Sequence, residues 1–299
     1  MKALWWSLSL VWVLTACGGG GGSASGGAGS NVSAGAQESP GAVAQAQNSS
    51  SAASEATLVE LDEDASYGFL NGSVASPNIV SSVITGIDYP VHVYLPPGYA
   101  ESDKKYPVVY ALDGQSQFPG LPYLMEQAGG EAILVAISEG PNDRRRTDYL
   151  LPGARAYFQF LTAELMPLIE PMYRVDTQNR SIVGTSFGGV FATLAMLLDD
   201  VSAPYFANYL AFDASLYEHQ ALTRELLNQR YQASGELSAN YFASSALPAG
   251  NDAFVSEFVG QLRRKNFAAL TITQRGYQVT HGKVSEPSFT DAVNLLLVP

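Results

Sequence analysis

Residues 181–189 read SIVGTSFGG, in which Ser186 has a glycine two places to either side, Gly184 and Gly188. A serine in the pattern G-x-S-x-G can act as a nucleophile when it stands on a sharp turn from strand to helix. The glycines are needed there because a Cβ at either place would meet the crossing backbone. With ordinary glycine and serine usage the pattern would arise about 0.1 times by chance in a chain of this length, so its setting has to carry the argument. Ser181–Val183 ends a short β-branched run, and GGVFATLAMLLDD after the serine is a strong helix former. The match therefore falls where a strand turns into a helix, although a small residue in a structural turn would fit the same place.

A serine hydroxyl is a poor nucleophile at neutral pH and needs a general base, for which histidine is the usual choice. The chain has three histidines. His92 lies inside VHVYL, an early strand, and His219 lies in LYEHQ; both read as structural or surface residues. His281, in VTHGK, falls between the last expected strand and the last helix, after both nucleophile and acid in the chain order Ser, Asp/Glu, His.

The acid that orients the imidazole is expected in the loop after the strand ANYFAS. That loop, SALPAGNDAF, holds one carboxylate, Asp252. Asp252 would also serve as an N-cap for the helix that follows; Glu257, one turn into that helix, and Asp213, at the end of NYLAFD, are the alternatives. A tetrahedral oxyanion needs N–H donors fixed in advance. One is expected from Phe187, directly after the nucleophile, and the other from the loop ALDGQSQF, where Gly114 lets the backbone turn inward and Gln115 would donate. A plain turn is the simpler reading of DGQ by itself. The run Arg144-Arg145-Arg146 could hold an anionic substrate group, or equally could be a solvated run or pair with Asp143 or Asp148.

Around these residues the punctuation is regular. SSVITG and YPVHVYL read as neighbouring strands, PVVYALDG and AILVAI as buried ones, and QFPGLPYLMEQAG as a helix between those two. ARAYFQFLTAELMPLIEPMYR is helical in period but broken near Pro167 and Pro171. From SIVG onward strands and helices alternate to the end. This is an α/β pattern: a mostly parallel central sheet of about eight strands, helices on both faces, the nucleophile after the fifth strand and no large lid domain, which is the α/β-hydrolase order.

The start of the chain reads differently. MKALWWSLSLVWVLTAC has a basic residue, a short apolar run and then Leu14-Thr15-Ala16-Cys17, which resembles the bacterial lipobox. Residues 1–16 are then a lipoprotein signal peptide and Cys17, the single cysteine, the lipidated N-terminus that binds a bilayer. An ordinary signal peptide with an incidental cysteine is the alternative. Gly18 rather than Asp follows, which favours the outer membrane of a Gram-negative envelope over the inner one. Residues 17–58 are rich in Gly, Ser and Ala and cannot bury enough surface to fold; they read as a flexible tether reaching roughly 35 Å. Residues 59–299 form the folded domain, large enough for its own core and without any disulfide. The net charge of −12 argues against nucleic acid as a partner.

The ordered string VYLPPGY, YPVVYALDGQ, Arg145-x-x-Asp148-Tyr149-Leu150, GTSFGG and a late His281 resembles the putative esterase family of α/β-hydrolases, from about residue 80 to the end. That family includes esterase D, feruloyl and siderophore esterases and mycolyltransferases. The resemblance implies hydrolysis of a small carboxylic ester through an acyl-enzyme, with Ser186, an acid and His281 in the triad roles and no metal or cofactor. Acyl transfer by the same triad is one alternative, and an inactive hydrolase-like binding module is another.

Overall fold

The computed structural model describes residues 55–60 and 67–298. The predicted signal peptide, Cys17 and all but the end of the predicted tether lie outside them. Nine strands form one sheet in the order β1-β2-β3-β5-β4-β6-β7-β8-β9. The strands are β1 (Thr57–Glu60), β2 (Ser73–Ser81), β3 (Asp88–Leu95), β4 (Tyr106–Ala111), β5 (Ile133–Ile137), β6 (Val175–Thr185), β7 (Asn208–Phe212), β8 (Glu236–Ala246) and β9 (Ala268–Tyr277). β1, β2, β3 and β5 pair antiparallel, whereas β5, β4, β6, β7, β8 and β9 are parallel.

The sequence expectation of about eight strands misses the short β1, which begins at Thr57, just inside the predicted tether. Counting it, Ser186 follows the sixth strand rather than the fifth. SSVITG is not a strand: β2 ends at Ser81 and the next residues turn. The β-branched run misleads because Glu164, far along the chain, fixes that turn. Its carboxylate accepts from Ser82 Oγ at 2.5 Å and from the N–H groups of Val83 and Ile84 at 3.0 and 3.1 Å, and Gly86 completes the turn at φ 68°.

The central strands are apolar because helices cover both faces. Every residue of β5 and β7 is buried. Successive residues point to opposite sides, so Val108 and Tyr110 of β4 join one core while Val109 and Ala111 join the other. The helices are α1 (Gly114–Gln117), α2 (Gly120–Gln127), α3 (Arg145–Tyr149), α4 (Ala154–Gln159), α5 (Met166–Ile169), α6 (Phe187–Leu198), α7 (Gln220–Ala233), α8 (Asp252–Lys265) and α9 (Ser285–Leu296). Leu121 and Met125 of α2 and Phe289 and Val293 of α9 pack on the second face. Residues of α4, α6, α7 and α8 pack on the first. Between α4 and α5 the backbone widens into a π-turn, Phe160–Leu165, immediately ahead of Pro167. A proline there would crowd the carbonyl of an ordinary helical turn, so the predicted break takes the form of a wider turn.

The chain order reverses direction at β4, which sits between β5 and β6. Loops leaving the carboxyl ends of β4 and β6 diverge there and open a crevice, the usual place for a ligand in such a sheet. Because Glu164 satisfies three donors of the 82–84 turn, Glu164→Ala should lower unfolding free energy by about 1–3 kcal/mol in a denaturant titration.

Candidate active site

Ser186 lies between β6 and α6 at φ 61°, ψ −116°. That backbone conformation is strained for an L-residue and persists only where its surroundings over-determine it. They do so here through three hydrogen bonds. Ser186 N–H donates to Phe212 O at 2.9 Å, and Ser186 O accepts from Val190 N–H at 3.0 Å and from Ser215 N–H at 3.1 Å. The glycines allow the close approach that the motif predicts: a Cβ on Gly184 would stand 2.4 Å from the backbone of Gly188.

His281 opens a short 3-10 turn, His281–Lys283, between β9 and α9. Its Nδ1 lies 2.6 Å from Asp213 Oδ2. Asp213 directly follows β7, is fully buried and has a left-handed φ of 41°. Its other oxygen, Oδ1, accepts from the N–H groups of Ala246 at 3.1 Å and Asn251 at 2.8 Å. A carboxylate so held fixes the imidazole with Nδ1–H toward it, leaving Nε2 as the proton acceptor. The imidazole side chain is 43% exposed, so it can reach a substrate while its partner cannot.

The carboxylate that meets the imidazole is thus Asp213, and not Asp252, the first expectation. Asp252 is the first residue of α8 and its hydrogen-bond partner is Ser256 Oγ at 3.5 Å. Glu257 is exposed and accepts from Gln261. The reason lies one residue earlier. Asn251 turns inward, donating its backbone N–H to Asp213 Oδ1 and its side-chain N–H to Asp213 O at 2.7 Å. Gly250 makes room, since a Cβ there would lie 2.6 Å from Asp213 Oδ2. The loop after β8 therefore braces the Asp213 carboxylate. His92 lies in β3, its ring stacked 4.9 Å from that of Phe118, and His219 caps α7.

Gln115 and Phe187 each stand in the first turn of a helix that starts at the crevice, α1 and α6. Neither backbone N–H has an acceptor among the described residues. The Gln115 side chain is engaged elsewhere, accepting from Glu139 N–H at 3.0 Å, and this pins α1 to the end of β5. Two amide donors are thereby left unpaired at the starts of the two helices that follow β4 and β6, and unpaired amides of this kind suit an oxyanion.

The arginine run separates into three different environments. Arg144 pairs with Asp148 at 2.8 Å, and Arg146 is exposed and meets Glu218 at 3.3 Å. Arg145 makes a bidentate bridge to buried Asp113 at 2.7 and 2.9 Å and a third bond to Thr185 O at 2.9 Å. Burial pulls the Arg145 pKa down, but the hydrogen bonds and charge of Asp113 more than offset this, so the net direction is upward. The guanidinium joins the loop carrying Gln115 to the strand end carrying Ser186.

Asp113, Gln115, Ser116, Gln117, Arg145, Thr185, Ser186, His281 and Ser285 line one open cleft of about 370 Å³. Ser186 Oγ lies 3.1 Å from Ser215 Oγ and makes no hydrogen bond to His281. Catalytic contacts of this kind often tighten only on substrate binding. Ser215 and Asn251 carry no sequence signal of their own; their roles follow from the burial of Asp213. Two substitutions check these contacts by thermal or denaturant unfolding. Gly250→Ala, which drives a methyl group against Asp213, should cost about 1–3 kcal/mol. Arg145→Ala, which leaves Asp113 buried without its cation, should cost about 2–3 kcal/mol.

The family model described as "Putative esterase" matches residues 82–212. The ferri-bacillibactin esterase BesA of Bacillus subtilis is 28% identical over 143 residues, which are 38% of this chain and 48% of the relative. The chain spans about half the length of the curated relatives it matches. Among solved structures, an IroE-like serine hydrolase from Shewanella oneidensis is 26% identical with a TM-score of 0.64, covering 76% of this chain and 80% of that one. The siderophore hydrolase EstB from Aspergillus nidulans has a TM-score of 0.62 at 16% identity, covering 75% and 95% of the two chains. Residues 82–212 carry the putative esterase pattern, and the whole described domain is built on the α/β-hydrolase fold.

Proposed function

We propose that the chain is a serine esterase that cleaves small polar esters through an acyl-enzyme. Ser186 is the nucleophile, His281 the general base and then acid, and Asp213 the partner that orients and stabilises the imidazolium. The backbone N–H groups of Phe187 and Gln115 receive the oxyanion. The observation that carries this reading is the 2.6 Å contact of buried Asp213 with His281 beside a strained serine in the same cleft.

As Ser186 Oγ bonds to the ester carbonyl carbon, its proton passes to His281 Nε2 and the carbonyl electrons move onto oxygen. When the carbonyl re-forms, the bond to the leaving alcohol breaks and the alcohol takes the proton from His281. Water then repeats the cycle: it gives a proton to His281 and adds to the acyl carbon, and the Ser186–acyl bond breaks with the proton returning to Oγ.

The lining of Gln115, Ser116, Gln117 and Ser285 suits a substrate with polar groups around the ester better than a long alkyl chain. The names of the similar proteins, a ferri-bacillibactin esterase and a siderophore hydrolase, make siderophore esters the first class to try. The lipobox-like Leu14–Cys17 and the Gly/Ser/Ala-rich stretch after it support an enzyme held on a bilayer through a lipidated Cys17.

A fluorophosphonate probe should label the full-length protein and not Ser186→Ala; equal labelling of the two would reject the nucleophile. On an aryl ester, His281→Ala and Asp213→Asn should each lose on the order of 10³- to 10⁴-fold in kcat, while Asp252→Asn stays within about twofold of the native rate. In cells of a bacterial host, Cys17→Ser should move the protein from the membrane to the soluble fraction.

A further inference from the structure

Ser215 is 2% exposed, and its hydroxyl lies 3.1 Å from the hydroxyl of Ser186. A buried serine needs a use for both its proton and its lone pairs. Either hydroxyl could donate in this pair, and a neighbour bears on which one does. Asn251 Nδ2 is 2.7 Å from Asp213 O and 3.3 Å from Ser215 Oγ. A peptide carbonyl only accepts, so the group facing it has to be the amide NH₂ and not the amide oxygen. One N–H goes to the carbonyl and the second is aimed at Ser215 Oγ. Ser215 Oγ thus accepts from Asn251, and the other partner found for it among the described residues is Ser186 Oγ, which is therefore the acceptor in reach of its buried proton.

We propose that Ser215 is a positioning residue whose hydroxyl donates to Ser186 Oγ, with Asn251 setting that direction. Ser186 Oγ then has its lone pair anchored from behind and its own proton free for His281. The bond strengthens as Oγ gains negative charge during attack, because hydrogen bonds to ionised acceptors are roughly twice as strong as neutral ones. Backbone contacts keep the pair in register: Ser215 N–H donates to Ser186 O at 3.1 Å, and Asn251 N–H holds Asp213 Oδ1 at 2.8 Å. Asn251 therefore touches both the acid that orients the base and the serine that orients the nucleophile. This inference rests on the reading of Ser186 as nucleophile.

The test is the second-order rate of phosphonylation and of aryl-ester turnover by the full-length protein, measured against pH for the native chain, Ser215→Ala, Asn251→Ala and the double variant. Labelling of the native protein and its loss in Ser186→Ala check the underlying reading separately. Given a labelled native protein, Ser215→Ala should lower the high-pH plateau about tenfold, the effect of one lost hydrogen bond to a developing charge, with KM and the acidic limb set by His281 unmoved. The double variant should lose less than the product of the two single losses, because Asn251 acts partly through Ser215. A plateau within twofold of native in Ser215→Ala, a fall accompanied by a displaced acidic limb, or fully multiplicative losses would each overturn the proposal. Should Ser215→Ala fail to fold, Ser215→Gly, which likewise removes the donor, replaces it with the same expected fall and the same overturning results.

Discussion

A carboxylate with no access to water governs how this domain is put together near its cleft. Asp213 is fully buried, and a buried anion is tolerated only if hydrogen-bond donors surround it. Those donors come from separate parts of the chain: the end of β8 through Ala246, the loop beyond it through Asn251, and the turn after β9 through His281. Each must therefore fold back over the end of β7. Gly250 is glycine because the chain passes too close to the carboxylate for a side chain. The shape of that corner of the molecule is the solvation shell that the protein builds for one charge.

An ion pair satisfies a second buried carboxylate near Ser186. Asp113 is buried and left-handed, and Arg145 gives it two bonds while giving a third to Thr185. Arg145 thus belongs to the framework of the cleft as well as to its lining. Its planar fork suits this; a lysine could neutralise Asp113 but could not reproduce two parallel bonds and a third to a carbonyl. Gln115 and Phe187 each lie two residues from an atom that the guanidinium holds.

The placement of Ser186 and His281 at one cleft was legible because their signals are local. Gly184 and Gly188 mark a crossing of backbones, and His281 is the one histidine between the last strand and the last helix. Asp213 was harder to rank, because order along the chain allows a carboxylate after either β7 or β8. Its better signal was the company it keeps: NYLAF is wholly buried and apolar from Tyr209 to Phe212, so an aspartate attached to its end is carried inside and must find partners. Asp252, heading an amphipathic helix, had an ordinary use as a first-turn acid. The misread strand SSVITG failed for a related reason, since the carboxylate that fixes its turn, Glu164, lies some eighty residues away and no local window contains it.

Thr185 and Phe212 are paired residues in neighbouring parallel strands, and Ser186 and Asp213 are the residues that come next. The separation of Ser186 and Asp213 is accordingly set by the spacing of two hydrogen-bonded strands, one of the least deformable lengths in a protein. The histidine has no such mooring; it stands on a short turn between β9 and α9. Of the three groups, two are part of a rigid ruler and one rides on a loop. With the other two held by the sheet, adjustment of the imidazole alone is enough to bring the three groups into line.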